Sequence, residues 1–280
     1  MINDISRMKI SIITINYNNK DGLQKTIDSV ITQTFKNFEW IVIDGGSTDG
    51  SKELIEKYAQ HITYWVSEPD KGIYNAMNKG ILKATGDYLS FMNSGDTYYD
   101  NTTLDIVYNK MSESNADIYY GNSLYIYKDK ERVFYTPPKL TLYDLYKGTI
   151  LHQASFIKRE LFQKQGYDET LKIVSDWKMW LVWILQDKEF KYIDLIISRF
   201  DAYGISTTNT NLVNEERNIV INEQLPLQVQ HGLDQLNHFI SIKNDYPIIT
   251  EIYITVKKRW LNYYIIKKTI SFITFINKFI

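Results

Sequence analysis

The chain has 280 residues, of which 44 % are hydrophobic and 23 % charged; its formal net charge is −1 and it has no cysteine. This composition excludes a disordered chain, and the balanced charge gives no support for nucleic acid as a partner. The lack of cysteine excludes disulfides and thiolate metal sites and favours a reducing, cytoplasmic compartment. The N-terminus lacks the apolar core of a secretion signal, and no run of about 18 apolar residues predicts a membrane-spanning helix.

Strands and helices alternate along the N-terminal third of the chain. Four apolar runs predict strands buried on both faces, at residues 10–15, 39–43, 62–66 and 88–92. Apolar residues at helical spacing predict a helix between each pair of runs. This order indicates a mostly parallel sheet with helices on both faces. Because ligands bind at the carboxyl ends of such strands, we expect the polar loops after the four runs to form the functional edge.

The pattern loosens after residue 100. Further elements are predicted as a helix at 104–111, a strand at 117–121, a hairpin of 123–127 with 132–135, a strand at 152–157, a helix at 177–186 and a strand at 190–197. Residues 209–214 are polar and predict a loop, whereas the chain from Glu215 onward is typical of helices.

Two acidic residues follow predicted strands. Asp44 precedes two glycines that let the backbone approach a ligand closely; the alternative is a plain turn before a capped helix. Asp96 ends the segment Asn93-Ser-Gly-Asp96. One carboxylate there is enough to hold Mg²⁺ or Mn²⁺ on a diphosphate, and the alternative is again a simple turn.

A third acid, Asp176, opens a predicted helix. It is either a general base or an acid that stabilises the helix dipole. The neighbouring Trp177 offers a stacking face to a sugar, or it belongs to the core. His152 and Gln153 precede an apolar run, but a lone histidine does not make a zinc site, and no G-x-S-x-G motif indicates a serine hydrolase.

Several segments resemble, in order and approximate spacing, the motifs of the family 2 glycosyltransferases. The matching stretches are residues 11–18, 29–35, 43–50, 68–80, 91–96 and 175–180. The stretch 68–80 is similar to that of the capsule, exopolysaccharide and colanic-acid-type members. The resemblance implies a catalytic domain over 8–205 with the GT-A fold, an α/β, Rossmann-like architecture, followed by a C-terminal helical extension over 215–280.

The resemblance also implies roles for individual residues. Asp176 would be the catalytic base, and Asp96 would hold a divalent cation, Mn²⁺ or Mg²⁺. Nucleotide and donor sugar would be bound by Thr14, Asn16, Tyr17, Asp44, Asp70, Asn78, Ser94 and Asp96. The acceptor side would be formed by His152, Gln153 and Trp177. The chain departs from the family pattern at Asn93, where many members have an acid, and at Gly45 and Ser175.

The implied activity is inverting transfer of a sugar from a nucleotide-sugar, a UDP-sugar, to a glycan or polyprenyl-linked acceptor in bacterial surface polysaccharide synthesis. One alternative is a nucleotidyltransferase, which needs a basic, glycine-rich phosphate loop that residues 16–19 do not resemble. A second is a non-catalytic carbohydrate-binding or scaffold protein, which the acids missing around Asp96 keep open.

The C-terminal stretch 253–280 has six basic residues, several aromatic residues and no acid. Such a helix lies on an anionic membrane surface or packs on the domain or in a dimer with its lysines extended. The membrane reading, favoured here, predicts a cytoplasmic protein bound peripherally to the inner face of the cell membrane. The sequence leaves the oligomeric state open, a homo-oligomer included.

Overall fold

The computed structural model describes residues 8–202 and 204–245, within which nine strands form one sheet. The strands are β1 (Ile10–Asn16), β2 (Phe38–Asp44), β3 (Tyr64–Ser67), β4 (Tyr88–Phe91), β5 (Thr97–Tyr98), β6 (Ile118–Ile126), β7 (Glu131–Phe134), β8 (Ser155–Lys158) and β9 (Phe190–Asp201).

Helices connect and follow these strands. They are α1 (Lys20–Ile31), α2 (Ser51–Tyr58), α3 (Ile73–Lys83), α4 (Thr103–Ser112), α5 (Leu142–Lys147), α6 (Ser175–Leu185), α7 (Ile205–Thr208), α8 (Thr210–Gln224) and α9 (Leu227–Asp245). Short 3₁₀ turns occupy Ala59–His61, His152–Ala154 and Arg159–Phe162.

The strand order is β3-β2-β1-β4-β8-β6-β9-β5, with β7 beside β6. The four strands predicted from the N-terminal third are parallel to one another, since β1 pairs with β2 and β4 and β2 pairs with β3. In the second half, β8 runs antiparallel to both β4 and β6, while β6 and β9 are parallel. The predicted α/β class is confirmed, with antiparallel pairs in the half of the sheet where the sequence pattern loosens.

Helices cover both faces of β1. Ile12 belongs to the same apolar core as Leu23 of α1 and Leu54 of α2. Ile13 points to the other face, where α3 comes so close that a Cβ on Gly80 would lie 2.5 Å from its Cγ2 atom. The connection from β3 to β4 therefore reverses the direction of winding, and β1 and β4 flank the switch point where ligands bind in open α/β sheets.

Two predicted element boundaries are corrected. The predicted strand 117–121 and first hairpin arm 123–127 form one continuous strand, β6, which pairs with β7 as expected. The predicted loop 209–214 is wrong, because α8 begins at Thr210. The Asn209 side chain accepts a hydrogen bond from the Leu212 amide, so the polar residues there begin a helix.

The chain divides into two compact units, of which the first extends to Gln224 and the second begins at Leu225. Helix α8 therefore lies in the first unit. The division into a catalytic domain over 8–205 and a helical extension over 215–280 stays a prediction. The stretch 253–280 lies outside the described residues. Between Met8 and Asp245, leaving aside residue 203, no helix is both long and apolar enough to cross a membrane.

Candidate active site

A pocket of about 670 Å³ opens at the carboxyl ends of β1 and β4. Its walls come from the loops after these strands, the start of α3, the 3₁₀ turn His152–Ala154, the start of α6 and the end of β9. Four acids line it: Asp70, Asp96, Asp176 and Asp201. Of the residues predicted from the sequence, the pocket also brings together Asn16, Tyr17, Ser94, His152 and Gln153.

Asp96 is the most buried acid of the pocket, with 6 % of its surface exposed. Its carboxylate accepts a hydrogen bond of 3.1 Å from Gln153 Nε2, and its backbone carbonyl accepts one from Thr26 on α1. Burial raises the pKa of Asp96 to about 7. A carboxyl group in this state readily exchanges its proton for a cation near neutral pH.

Asp176, in the first turn of α6, is held by two donors. Tyr74 Oη lies 2.9 Å from Asp176 Oδ1, and His152 Nδ1 lies 3.0 Å from Asp176 Oδ2. Burial raises the pKa of Asp176, but these hydrogen bonds outweigh burial, so the pKa lies below its ordinary value. Asp176 is therefore ionised at neutral pH, and 17 % of its side chain stays exposed to the pocket.

Helix α8 fixes the segment that leads into Asp176. Glu216 is buried and accepts hydrogen bonds from the backbone amides of Lys172, Ile173 and Val174 at 2.7, 3.0 and 3.2 Å. These amides immediately precede α6. A charged acceptor therefore satisfies three buried donors and sets where the helix begins.

Asp44 organises the edge of the sheet and is not among the residues that line the pocket, so its contact with the nucleoside stays a prediction. Its side chain is fully buried and accepts hydrogen bonds from Asn16, Ser47 and Ser67. Asn16, Asp44 and Ser67 are register partners at the ends of β1, β2 and β3. Burial raises the pKa of Asp44, but these hydrogen bonds outweigh burial and lower it. Asp44 thus holds Asn16, which does line the pocket.

Three other residues with predicted contacts also lie outside the pocket lining, and their contacts stay predictions. Thr14 is fully buried and accepts a hydrogen bond from Trp40 Nε1. The Asn78 amide binds the backbone of Tyr167, so it anchors the loop before α6.

Trp177 is the third of these residues. It is 2 % exposed, and its Nε1 donates to the carbonyl oxygens of Leu145 and Gly148. The Arg217 guanidinium lies over its ring at 4.5 Å. Trp177 is therefore packed in the core, which is the alternative that the sequence left open.

Some polar atoms of the pocket have no partner. The side-chain oxygens of Asn16, Asn93 and Gln153 are buried, and none accepts a hydrogen bond within the part of the chain that the structure describes. Buried acceptors are rarely left unpaired. These three oxygens thus favour a ligand that presents hydroxyl or N–H donors.

Sequence reasoning missed Tyr74, Asp201 and Glu216. Tyr74 lies in the first turn of α3, inside the stretch 68–80, so the motif contained the signal although the tyrosine was not singled out. Asp201 ends β9 beside the pocket and acts electrostatically on Asp96. Glu216 gave no local signal, because its partners lie 42 to 44 residues earlier in the chain.

The acids of the pocket fit a divalent cation. Asp96 and Asp201 offer carboxylate oxygens, the ligands that Mg²⁺ and Mn²⁺ prefer. Among the described residues, no group of three or more histidine, cysteine, aspartate or glutamate side chains forms a complete metal site. This set suits a cation that takes its remaining ligands from a diphosphate and water.

The fold and the pocket define an α/β protein with a ligand crevice at the switch point of its sheet. The model of the family described as Glycosyl transferase family 2 matches residues 11–179, more than half of the chain. The chain belongs to this family, and the protein is a glycosyltransferase. An uncharacterized glycosyltransferase of Rickettsia typhi is 32 % identical over 216 residues, which cover 72 % of this chain and 67 % of the relative.

Solved structures show the same fold. Residues 1–349 of S. aureus TarS, in complex with UDP-GlcNAc, match with a TM-score of 0.57 at 19 % identity, covering 69 % of this chain and 58 % of that one. The mannosyltransferase PcManGT from Pyrobaculum calidifontis, in complex with GDP-Man and Mn²⁺, matches with a TM-score of 0.57 at 14 % identity, covering 72 % and 59 %. This chain spans less than two thirds of either solved chain.

Proposed function

We propose that the protein transfers a sugar from a nucleotide-sugar donor, a UDP-sugar, to a hydroxyl of a glycan or lipid-linked acceptor, with inversion at the anomeric carbon. The observation that carries this proposal is one pocket that joins an ionised, pocket-facing Asp176 to a buried Asp96. The ligands of TarS and PcManGT, UDP-GlcNAc and GDP-Man, support a nucleotide-sugar as the donor.

Direct displacement needs one base on the acceptor. The Asp176 carboxylate takes the proton of the acceptor hydroxyl while the acceptor oxygen forms its bond to the anomeric carbon. The bond from that carbon to the diphosphate oxygen breaks, and its electron pair leaves with the nucleoside diphosphate. Tyr74 and His152 hold the carboxylate in place through this step.

Asp96, with Asp201, would hold a divalent cation, Mn²⁺ or Mg²⁺, which when bound neutralises negative charge on the departing diphosphate. The partner-free oxygens of Asn16, Asn93 and Gln153 provide acceptors for hydroxyl groups of ribose or sugar. Tyr17, 66 % exposed at the rim, offers a ring face to the base. Asp70, also at the rim, provides a charged acceptor for the donor.

Replacement of Asp176 tests the proposal. Asp176→Asn is expected to lower the transfer rate by at least about 100-fold, because the amide accepts no proton, and to leave donor affinity near normal. The measurement is nucleoside diphosphate release from the best donor of a nucleotide-sugar panel, with Mn²⁺ or Mg²⁺, beside donor titration by calorimetry. Asp187→Asn is a matched control, because Asp187 is exposed directly after the same helix and lies outside the pocket. Wild-type transfer by Asp176→Asn would refute the base assignment.

A non-catalytic carbohydrate-binding protein on the same fold is the rival, favoured by Asn93 at the position of a common acid. Such a protein binds donors and releases no nucleoside diphosphate. Donor binding without turnover, for every nucleotide-sugar and with a lipid-linked acceptor extract present, would replace the proposed activity with this one.

We place the reaction in bacterial surface polysaccharide synthesis, as in capsule formation, on the cytoplasmic face of the membrane. The basic, aromatic stretch 253–280 supports peripheral contact with anionic lipid, where a polyprenyl-linked acceptor would lie. Flotation with liposomes containing phosphatidylglycerol tests this contact, and flotation no better than with neutral liposomes would contradict it.

A further inference from the structure

We infer that His152 is a positioning residue, which holds the base Asp176 through a neutral ring protonated on Nδ1, and that Asn93 imposes this tautomer. The inference deepens the proposed function and rests on it only for the role of Asp176. In this inference His152 acts by holding Asp176 and is itself held by Asn93, whereas the sequence predicted a contact between His152 and the acceptor.

The His152 ring lies between two polar partners from different elements. Its Nδ1 is 3.0 Å from Asp176 Oδ2 on α6, and its Nε2 is 3.1 Å from Asn93 Nδ2 in the loop after β4. The ring also packs edge-on against Phe91, with centroids 6.4 Å apart and an interplanar angle of 88°. With 16 % of the side chain exposed, water has little access to replace either partner.

The chemistry of the two partners assigns the protons of the ring. An ionised carboxylate only accepts hydrogen bonds, so Nδ1 must carry a proton to reach Asp176. In the orientation that the structure gives the Asn93 amide, its nitrogen faces Nε2 and donates, so Nε2 carries no proton. In this arrangement a chain of donors runs from Asn93 through His152 to Asp176.

The amide at position 93, where many family members have an acid, affects the charge of the His152 ring. A carboxylate at position 93 would accept from Nε2, so both ring nitrogens would carry protons and the ring would be a cation. A cation next to Asp176 favours its ionised form and makes it a weaker proton acceptor. His152 contacts Asp176 and interacts electrostatically with Asp96. Asp70, Asp201 and Lys172 also line the pocket, and Arg217 interacts electrostatically with Asp176. The amide of Asn93 therefore keeps the His152 ring from adding a positive charge beside the base.

The protonation pattern is testable without any assay of transfer. The full chain has four histidines, so ¹⁵N–¹H spectra of the imidazole nitrogens are simple to assign by comparison with His152→Gln. His61→Gln is the matched control, because His61 is exposed and outside the pocket. We expect His152 at pH 8 to show the Nδ1–H tautomer. An Nε2–H tautomer, or a ring with both nitrogens protonated, would overturn the inference.

Replacing Asn93 extends the same measurement. Asn93→Asp is expected to put protons on both nitrogens of His152, while Asn101→Asp, at an exposed turn outside the pocket, leaves the spectrum unchanged. If His152 keeps one proton, on Nδ1, in Asn93→Asp, then Asn93 does not set the tautomer and that part of the inference fails.

Kinetics separate positioning from acceptor binding. His152→Ala is expected to lower kcat by about 10- to 100-fold with the KM of donor and acceptor unchanged, because Asp176 loses one of its two donors. His152→Gln retains an N–H for Asp176 and should recover part of kcat. A raised acceptor KM with unchanged kcat would mean that His152 binds the acceptor. If the wild-type chain transfers no sugar, the proposed function fails, and the tautomer spectra still decide the inference.

Discussion

At the scale of single residues, two carboxyl groups in one pocket have opposite environments. Hydrogen bonds from His152 and Tyr74 keep the pKa of Asp176 below its ordinary value, whereas burial raises that of Asp96 to about 7. Pairs of acids with separated pKa values mark distinct chemical roles. Asp176 is ready to take a proton at neutral pH, and Asp96 is ready to give its proton up to a cation.

Asp96, which would hold the cation, is expected to lower the free energy of unfolding. The folded chain keeps the Asp96 proton up to about pH 7, whereas the unfolded chain loses it near 3.8, so stability falls as pH rises between these values. Asp96→Asn has no proton to lose. It should raise the free energy of unfolding by about 2 to 4 kcal/mol at pH 8 and by much less at pH 4.

Chemical denaturation at both pH values measures this effect, and calorimetry with UDP and Mn²⁺ measures the cost to function. Metal-linked donor binding should be lost in Asp96→Asn. Asp129→Asn, at an exposed hairpin turn, is the control. Equal stability changes at pH 4 and pH 8 would show that Asp96 is not held protonated in the folded protein.

At the scale of elements, α8 acts on the site through α6. Glu216 accepts hydrogen bonds from three backbone amides. These amides lie directly before α6, the helix that carries Asp176. Glu216→Gln replaces one accepting oxygen with a donor and should lower the free energy of unfolding by about 1 to 3 kcal/mol. It should also lower kcat more than it changes KM, because the base shifts while the donor-binding residues stay in place.

Glu215→Gln is the matched control for this prediction, since the neighbouring side chain is exposed on the same helix. Denaturation curves and donor turnover, recorded for both variants, separate the effect of the buried carboxylate from a general loss of charge. A Glu216→Gln protein as stable and as active as Glu215→Gln would remove α8 from any role in placing Asp176.

A second buried glutamate joins elements at the opposite end of the sheet. Glu39 of β2 accepts hydrogen bonds from Lys9, Ser11, Thr85 and Gly86. Burial raises its pKa, but these hydrogen bonds outweigh burial and lower the pKa from 4.5 to about 2. The stabilisation is fully present above pH 4.5 and is lost as pH falls through about 2.

Glu39→Gln should therefore lower the free energy of unfolding at pH 7 by about 2 kcal/mol, and the difference from wild type should shrink between pH 4.5 and pH 2. Urea denaturation across this range measures it. Glu113→Gln, in an exposed pair with Lys110, should show little effect at any pH. A difference for Glu39→Gln that stays constant down to pH 2 would contradict the assignment.

The elements that the sequence predicted well are those with one dominant pattern. The run 10–15 is apolar at nearly every position because α-helices cover both faces of β1, and it was confirmed as a strand. Helix α6 is apolar almost all round, which predicts burial but not which side faces the pocket. For this reason the sequence left open whether Trp177 faces a sugar or belongs to the core. The bond between Tyr74 and Asp176 joins residues 102 positions apart, a distance that no local pattern spans.

At the scale of the whole molecule, chemistry and membrane recruitment are expected to be separable. All residues that line the pocket lie between Ile15 and Gly204, within the compact unit that ends at Gln224. A chain that ends at residue 252 lacks the basic, aromatic stretch 253–280 but keeps every residue of the pocket. It should bind UDP with Mn²⁺ with a Kd within about twofold of that of the full chain.

The same truncation should abolish flotation with anionic liposomes, because it removes six basic residues and the aromatic side chains between them. Calorimetry and flotation on one preparation, with circular dichroism to show that the chain is folded, make the comparison. Replacing the six basic residues with glutamine in the full chain is the matched control, since it removes the charge and keeps the length. A folded, truncated chain that floats as well as the full chain would assign membrane contact to residues before 253, and one that loses UDP would make the C-terminal stretch part of the donor site.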